Sequence, residues 1–244
     1  MTEFLFDVHL HTHHSYDSLM TPTTLVRTAK KQGLSAIVVT DHNTTKGAFS
    51  CIKAAKENRL DITVLVGAEI KTEVGDVSGL FLNEEIRSRE FHDVIDDIAA
   101  QDGIVCLPHP YASYTSLDRM DLSKIEVLEA YNGRHSLREN QAAFRLGKKL
   151  GIPMIGGSDS HLQYEVGSVV NITHDDVTDK DVLRKKILDG TSIIRVRPPT
   201  LPLLPRYQMT QYMSWLRTGK SRRILDRVLH FSLRMARKSV GSSA

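Results

Sequence analysis

Histidine and aspartate recur in this sequence at the ends of apolar runs that have strand character. Three such segments are Asp7-Val8-His9-Leu10-His11, Thr40-Asp41-His42-Asn43 and Ser158-Asp159-Ser160-His161. Because side chains at i and i+2 lie on the same face of a strand, His9 and His11 should point the same way, as should Asp159 and His161. Neutral imidazole and carboxylate are ligands of zinc, manganese and iron, so these segments predict a divalent metal site.

Three further side chains have comparable positions. Glu69 ends an apolar run at 63–68, and its carboxylate could bridge two cations, which a histidine cannot. His109 follows the run at 104–106 and stands between two prolines that fix the backbone. Asp17 lies six residues after His11, close enough to fold back toward the same rim.

Strand-like and helical patterns alternate along residues 1–197. Strands are predicted at 3–10, 35–40, 62–69, 77–82, 103–107, 125–130, 152–157 and 191–196, and helices at 22–32, 44–58, 88–101, 136–150 and 179–189. This alternation predicts an α/β fold with a mainly parallel sheet or a barrel, whose sites form at the carboxyl ends of the strands. The interval 83–150 leaves little room for a large insertion, so we expect an open site.

The composition is that of a globular protein, with 244 residues, of which 41% are hydrophobic and 25% charged. Two cysteines, Cys51 and Cys106, fit a reducing compartment, and Met1-Thr2-Glu3 has no signal-peptide pattern. The longest apolar runs are strand-sized, so no transmembrane helix is predicted. We therefore expect a cytoplasmic protein.

The charge is unevenly distributed between the body of the chain and its tail. Residues 195–244 hold eleven Lys and Arg against one acid, whereas residues 1–194 hold 21 against 28. Four of the eight prolines fall within 198–205, which predicts an extended linker. Two helices are predicted beyond it, at 206–217 and 221–238, and the second has one apolar and one basic face.

Three roles for this basic amphipathic tail, residues 206–244, remain open. Its helix could pack its apolar face on the barrel and stay solvated. It could contact an anionic membrane surface, which would place the protein at the membrane periphery. It could also bind nucleic acid or another polyanion, although the acidic body would repel a long polyanion at the rim.

Four motifs in order resemble the PHP (polymerase and histidinol phosphatase) family of metal-dependent phosphoesterases. They are His9-x-His11, Thr40-Asp41-His42, Pro108-His109-Pro110 and Gly157-Ser158-Asp159-x-His161, and the resemblance covers about residues 1–196. Small stand-alone members, which include nucleotide and 3′,5′-bisphosphate phosphatases, look closest because their first motif continues with an aspartate placed like Asp17. The resemblance implies a distorted, TIM-like (β/α)7 barrel with two or three divalent metal ions at its C-terminal rim.

The resemblance also implies a ligand set. One metal would be held by His9, His11, Glu69 and Asp159, a second would share Glu69 and take His109, and a third would take Asp17, His42 and His161. Asp76 stands where many members have a histidine. An oxygen ligand there favours Mn²⁺ or Mg²⁺ over Zn²⁺, and Fe²⁺ is a further candidate.

Such a centre implies hydrolysis of a small phosphomonoester by a metal-activated hydroxide. The substrate would be a nucleotide, a nucleoside 3′,5′-bisphosphate or a sugar phosphate. The candidate catalytic residues are Asp159, His42, Arg134 and His135, of which the last two are candidates for holding the phosphate. Asp41 is expected to orient an imidazole or to act as a cap. The alternatives are a catalytically silent metal-binding regulatory module and a nuclease.

Overall fold

The computed structural model describes residues 3–174, 177, 179–197 and 203–220, without the side chains of 203–207. The strands in these ranges are β1 (Phe4–Leu10), β2 (Ala36–Val39), β3 (Thr63–Lys71), β4 (Asp76–Leu80), β5 (Ile104–Leu107), β6 (Val127–Asn132), β7 (Met154–Gly157), β8 (Val169–Thr173) and β9 (Ile193–Val196). The helices are α1 (Pro22–Lys31), α2 (Lys46–Glu57), α3 (Phe91–Ala100), α4 (Leu137–Leu150), α5 (Lys180–Leu188) and α6 (Leu203–Arg217).

The strands form one sheet in the order β7-β6-β5-β4-β3-β2-β1-β8-β9. Parallel pairing joins β1, β2 and β3, and it also joins β5, β6 and β7. The sheet curls until β7 meets β1, where Ser160 pairs with Leu10 and the Ser158 amide donates to Asp7 Oδ1 at 3.1 Å. The predicted α/β class and distorted barrel are therefore confirmed.

The barrel interior is apolar at one end and polar at the other. On β2 the inward row runs from Val38 through Thr40 to His42, and on β3 from Leu65 through Gly67 to Glu69. A bulge in β1 between Asp7 and Leu10 shifts the register, so that Val8 and the following histidines face the same interior. The interior cluster comprises Phe6, Val8, Ala36, Val38, Leu65, Leu80, Ile104, Cys106, Val127 and Ile155, with Leu183 and Ile187 of α5 packed against it.

Helices α1 to α4 cover the outside of the barrel. Leu25, Val26 and Ala29 of α1 pack with α2 over the outer side of β1 and β2. The buried face of α3 packs over β3 to β6 in a separate cluster. Thr21 caps α1 through its side chain, with Pro22 at the first helical position as the sequence predicted.

Every predicted strand and helix within the described residues is present, with its ends within three residues of the prediction. The sheet, however, is mixed rather than mainly parallel, because β4 forms a tight hairpin with β3 and because β8 and β9 continue antiparallel from β1. The predicted strands did not include β8.

The C-terminal boundary also needs correction. Helix α6 begins at Leu203, inside the predicted linker 198–205. Pro205 fits its first turn, where backbone N–H groups have no partner within the helix. The predicted helix at 221–238 lies outside the described residues. Within the described part of the chain, no helix is long and apolar enough to cross a membrane.

Candidate metal centre

Four side chains from three strand ends converge at the polar rim of the barrel. Nε2 of His9 lies 3.1 Å from Nε2 of His11, 3.3 Å from Oε2 of Glu69 and 3.6 Å from Oδ1 of Asp159. Nε2 of His11 lies 3.4 Å from the same Glu69 oxygen and 3.2 Å from the same Asp159 oxygen. All four residues are buried.

These separations fit a single cation. Four ligands about 2.0–2.1 Å from a tetrahedral metal ion lie about 3.4 Å from one another, and the five measured separations run from 3.1 to 3.6 Å. Without a cation, the arrangement is also a poor hydrogen-bond network, because the Nε2 atoms of His9 and His11 face each other and both also face carboxylate oxygens. Asp159 has φ +51°, a backbone strain typical of functional sites.

A second ligand group forms around the other oxygen of Glu69. Oε1 lies 2.7 Å from Nε2 of His109, whose Nδ1 is buried and has no hydrogen-bond partner among the described residues. His109 has φ +24°, a second strained position at the rim. Because the two oxygens of Glu69 face different groups, this carboxylate is placed where it could bridge two cations.

The third group contains Asp17, His42 and His161. Oδ2 of Asp17 lies 3.3 Å from Nε2 of His42 and 3.1 Å from Nε2 of His161, while its Oδ1 is buried without a hydrogen-bond partner in the part of the chain that the structure describes. His11, His42 and His161 also offer ring nitrogens within 4.8 Å of one another. The structure thus brings together the three expected ligand groups, and the residues fit divalent metals.

Glu129 orients two of these groups, and the sequence reasoning did not single it out. Its Oε1 lies 2.9 Å from Nδ1 of His9, and its Oε2 accepts from the His109 amide at 2.8 Å and from the Asn132 side chain at 2.9 Å. A carboxylate behind a ligating imidazole fixes the tautomer of the ring. The available signal was an acidic residue inside the apolar strand β6.

Asp41 orients His11 through a serine. Oδ1 of Asp41 accepts from the Ser15 hydroxyl at 2.7 Å, and the same Ser15 oxygen lies 3.1 Å from Nδ1 of His11. Asp41 also accepts from the backbone and hydroxyl of Thr12 at 2.6 and 2.7 Å. Asp41 therefore supports an imidazole, as expected, although it does so indirectly.

The carboxylates and imidazoles of the centre shift each other's pKa values. Burial raises the pKa of Glu69, but His42 and His9 outweigh burial and hold this pKa well below its ordinary value. Burial lowers the pKa of His109, but the Glu69 carboxylate outweighs it and raises this pKa to about 9. Burial and the neighbouring His161 and His42 lower the pKa of His11 to about 4. Neighbouring imidazoles likewise outweigh burial and hold the pKa values of Asp17 and Asp159 well below their ordinary value. Glu69, Asp17 and Asp159 are thus ionised, as metal ligands must be.

Asp76 lies at the same cavity but in none of the three groups. Burial, followed by the charge of Glu69, raises the pKa of its carboxyl group, which is hydrogen-bonded to Tyr114. Asp76 lies on the face of β4 that points into the barrel, and it lines the cavity together with Glu69. The role of Asp76 as a metal ligand stays a prediction.

Arg134 and His135 both line the cavity, and both already contact other residues of the protein. Nη1 of Arg134 lies 3.2 Å from Glu165, and its Nη2 donates to Thr210 at 2.6 Å. The ring of His135 stacks on His109 at 5.2 Å, and burial and that neighbour lower its pKa. Their contact with phosphate stays a prediction, whereas the link from Arg134 to α6 is a role that the sequence did not reveal.

The cavity above the ligands has a volume of about 440 Å³, within the range of small-molecule sites. Helix α6 lines it through Thr210, Gln211, Ser214 and Trp215. The expectation of an open site is therefore corrected, because a segment predicted to lie in the tail forms one wall. Sequence reasoning missed this wall because α6 lies beyond the β/α pattern.

A barrel with clustered imidazole and carboxylate ligands at its C-terminal rim defines a metal-site protein of the TIM-like class. The chain belongs to the PHP domain family: the family model matches residues 7–137, and a model described as PHP-associated matches residues 138–192. The resemblance found in the sequence is thus confirmed.

Two relatives and one solved structure illustrate what this chain is similar to. A Methanocaldococcus jannaschii protein of uncharacterised function is 34% identical over 160 residues, 59% of this chain and 92% of that protein. An Acetivibrio thermocellus protein named as a probable phosphatase is 28% identical over 200 residues, 68% of this chain and 83% of that protein. A Bifidobacterium adolescentis structure, assigned as a candidate metal-dependent phosphoesterase, has a TM-score of 0.53 at 19% identity, covering 76% of this chain and 96% of that one. At that identity the structural likeness shows the fold alone.

Proposed function

We propose that the protein is a metal-dependent phosphoesterase that hydrolyses a small phosphomonoester. The observation that carries this proposal is the convergence of His9, His11, Glu69 and Asp159 at separations that suit one cation. The neighbouring groups around His109 and Asp17 support a centre with two or three metals. The relative named as a probable phosphatase supports the same reaction class.

Bound divalent cations would supply an activated water and neutralise charge on the phosphate. Residues of the chain would hold the cations and orient the substrate. Glu129 holds the proton of His9 at Nδ1, which leaves Nε2 for a ligand. The Arg134 guanidinium lines the cavity wall, where its charge is paired with Glu165 and its Nη2 donates to Thr210. His135, whose pKa is lowered by burial and by His109, is neutral at pH 7 and can donate a hydrogen bond to a phosphate oxygen.

The cavity favours a small substrate over a polymer. Its volume is about 440 Å³, and α6 stands along one side of it. A nuclease would need a path for a polyanion past the acidic body of the chain. Contact of the basic tail with an anionic membrane or with nucleic acid stays a prediction, and residues 221–244 lie outside the described structure.

Phosphate release tests the proposal. Full-length protein with added Mn²⁺ is assayed on nucleotides, nucleoside 3′,5′-bisphosphates and sugar phosphates, beside Asp159→Ala and the matched control Asp96→Ala on the exposed side of α3. We expect release by the wild type and the control, and loss of at least about a hundredfold in Asp159→Ala. No release from any ester by folded, metal-loaded wild type would contradict the proposal.

A further inference from the structure

Helix α6 forms a wall of the metal cavity although it lies beyond both matched family regions. Those regions end at residue 192, and α6 spans Leu203–Arg217. Its cavity-lining residues occupy one face of the helix: Thr210, Gln211, Ser214 and Trp215. Part of the surface that a bound substrate would meet is therefore supplied by a segment outside the barrel.

Two contacts fasten α6 to the site. Thr210 accepts the hydrogen bond from Arg134, whose guanidinium is also paired with Glu165. Seven residues further along the helix, Nη1 of Arg217 donates to the backbone oxygens of Ser15 and Ser18, at 2.9 and 2.6 Å. Ser15 and Ser18 flank Asp17, so α6 is attached to the loop that carries a candidate metal ligand.

Three aromatic side chains surround the cavity above the ligands. The ring of Tyr16 is parallel to that of His42 at 4.9 Å, and Tyr114 meets His109 edge-on at 6.0 Å. Both tyrosines are exposed, by 42% and 53%. Trp215 is half-buried on α6, with Tyr212 against its edge at 5.7 Å. Together Tyr16, Tyr114 and Trp215 form what we call the aromatic rim.

An aromatic rim above a phosphate-directed centre suits a particular kind of leaving group. Flat rings gain from stacking on aromatic side chains, and this gain is largely independent of the identity of the ring. Ribose 5-phosphate offers a puckered ring with hydroxyl groups and no planar aromatic face. Gln211 and Ser214, beside Trp215, carry polar groups that suit the edge of a heterocycle.

We propose that α6 and the aromatic rim bind the leaving group of the ester and select leaving groups that carry a flat aromatic ring, with Trp215 as the main specificity-determining residue. The ring is either a nucleobase or a phenyl group. This inference rests on the proposed phosphoesterase function. Water adds to phosphorus, the ester P–O bond breaks, and the nucleoside or phenol leaves with a proton from that water.

Kinetics on the Mn²⁺-loaded full chain test the selection. The substrates are a nucleoside 5′-monophosphate, phenyl phosphate and ribose 5-phosphate, and the variants are Trp215→Ala, Trp215→Phe and the exposed-aromatic control Phe144→Ala on α4. We expect Trp215→Ala to lose about tenfold in kcat/KM on the aromatic esters, chiefly through KM, with less than about twofold change on ribose 5-phosphate. Trp215→Phe should recover most of the loss. The aromatic ester with the larger loss identifies the source of the ring.

Binding is measured separately from hydrolysis. Trp215 is the only tryptophan in the chain, so its fluorescence reports directly on a ring stacked against it. A nucleoside phosphonate, in which carbon replaces the ester oxygen, and phenylphosphonate are titrated beside ribose 5-phosphate. We expect saturable quenching by at least one aromatic ligand and none by ribose 5-phosphate.

The two measurements separate failure of this inference from failure of the proposed function. Hydrolysis of all three esters with equal losses in Trp215→Ala would overturn the selection by α6 and leave the phosphoesterase standing. Quenching by an aromatic phosphonate without hydrolysis of any ester would support the ring-binding surface and overturn the phosphoesterase. Unchanged emission with every aromatic ligand up to millimolar concentration would overturn the ring-binding surface itself.

Discussion

The carboxylate of Glu129 lies 2.9 Å from Nδ1 of His9, on the opposite edge of the ring from the nitrogen that faces Glu69 and His11. Both residues are buried, so the pair is shielded from solvent. The carboxylate fixes the ring orientation and makes the imidazole a stronger ligand.

Replacing Glu129 with glutamine should therefore weaken metal binding. We expect Glu129→Gln to lower Mn²⁺ affinity about 10- to 100-fold. The amide oxygen can still accept a hydrogen bond from Nδ1 of His9, but it carries no negative charge. Chelator competition measures the affinity, with the exposed Glu57→Gln on α2 as the control. Equal affinities in the two variants would show that Glu129 does not support the centre.

Metal binding should release protons and strengthen as pH rises. In the metal-free protein, burial lowers the pKa values of His9, His42 and His109, but neighbouring carboxylates outweigh burial and raise all three, that of His109 to about 9. These rings are therefore protonated at pH 7, and a metal must displace their protons. We expect affinity to rise from pH 6 to about 9 and then level off, with proton release visible by calorimetry in two buffers. Affinity that is independent of pH would contradict this assignment of protonation states.

Removal of metal should also lower thermal stability. Binding at a hundredfold excess over Kd stabilises the folded state by about 2.7 kcal/mol. For a domain of this size that corresponds to a shift on the order of 5–10 °C in Tm. Calorimetry with and without a chelator measures the shift. A silent metal-binding module would show the same shift, so the measurement tests the metal site and not catalysis.

The buried ion pair between Arg134 and Glu165 should matter for folding as well as for the site. Arg134→Ala would remove the guanidinium that lies 3.2 Å from the buried Glu165 carboxylate, whose Oε2 also accepts from the backbone of His161 and Leu162, each at 2.9 Å. We expect a loss of about 3–5 kcal/mol in the free energy of unfolding. Urea denaturation of metal-free protein measures it, with the exposed Arg138→Ala as the control. A loss below about 1 kcal/mol would show that Glu165 is compensated in another way.

The meeting of these side chains at one rim was predictable from the sequence because strand geometry is local, whereas their grouping around separate metals was implied by the family resemblance and stays a prediction. His9 and His11 share a strand face at i and i+2, and their Nε2 atoms meet at 3.1 Å. Glu69 and His42 each extend an inward row of a strand, so the period of the strand already set their direction. Because the carboxyl ends of parallel strands lie at one rim of the barrel, these four side chains lie close together there.

The features that the sequence missed depend on contacts between distant segments. Glu129 sits within an apolar strand, and only the closed barrel shows that it stands behind His9. The strand β8 follows β7 without an intervening α-helix, so the alternation of strands and helices did not predict it. The position of α6 is determined by Thr210 and Arg217, whose partners lie 76 and about 200 residues earlier in the chain.

The most direct test of the central claim is a stepwise Mn²⁺ titration of metal-free, full-length protein, with bound metal and phosphate release read from the same samples. A nucleoside 5′-monophosphate, phenyl phosphate and a sugar phosphate serve as parallel substrates, and Asp159→Ala runs beside the wild type. We expect no release without metal and release that rises with occupancy in the wild type only. Full metal occupancy with no release from any substrate would contradict the phosphoesterase and favour a metal-binding regulatory module.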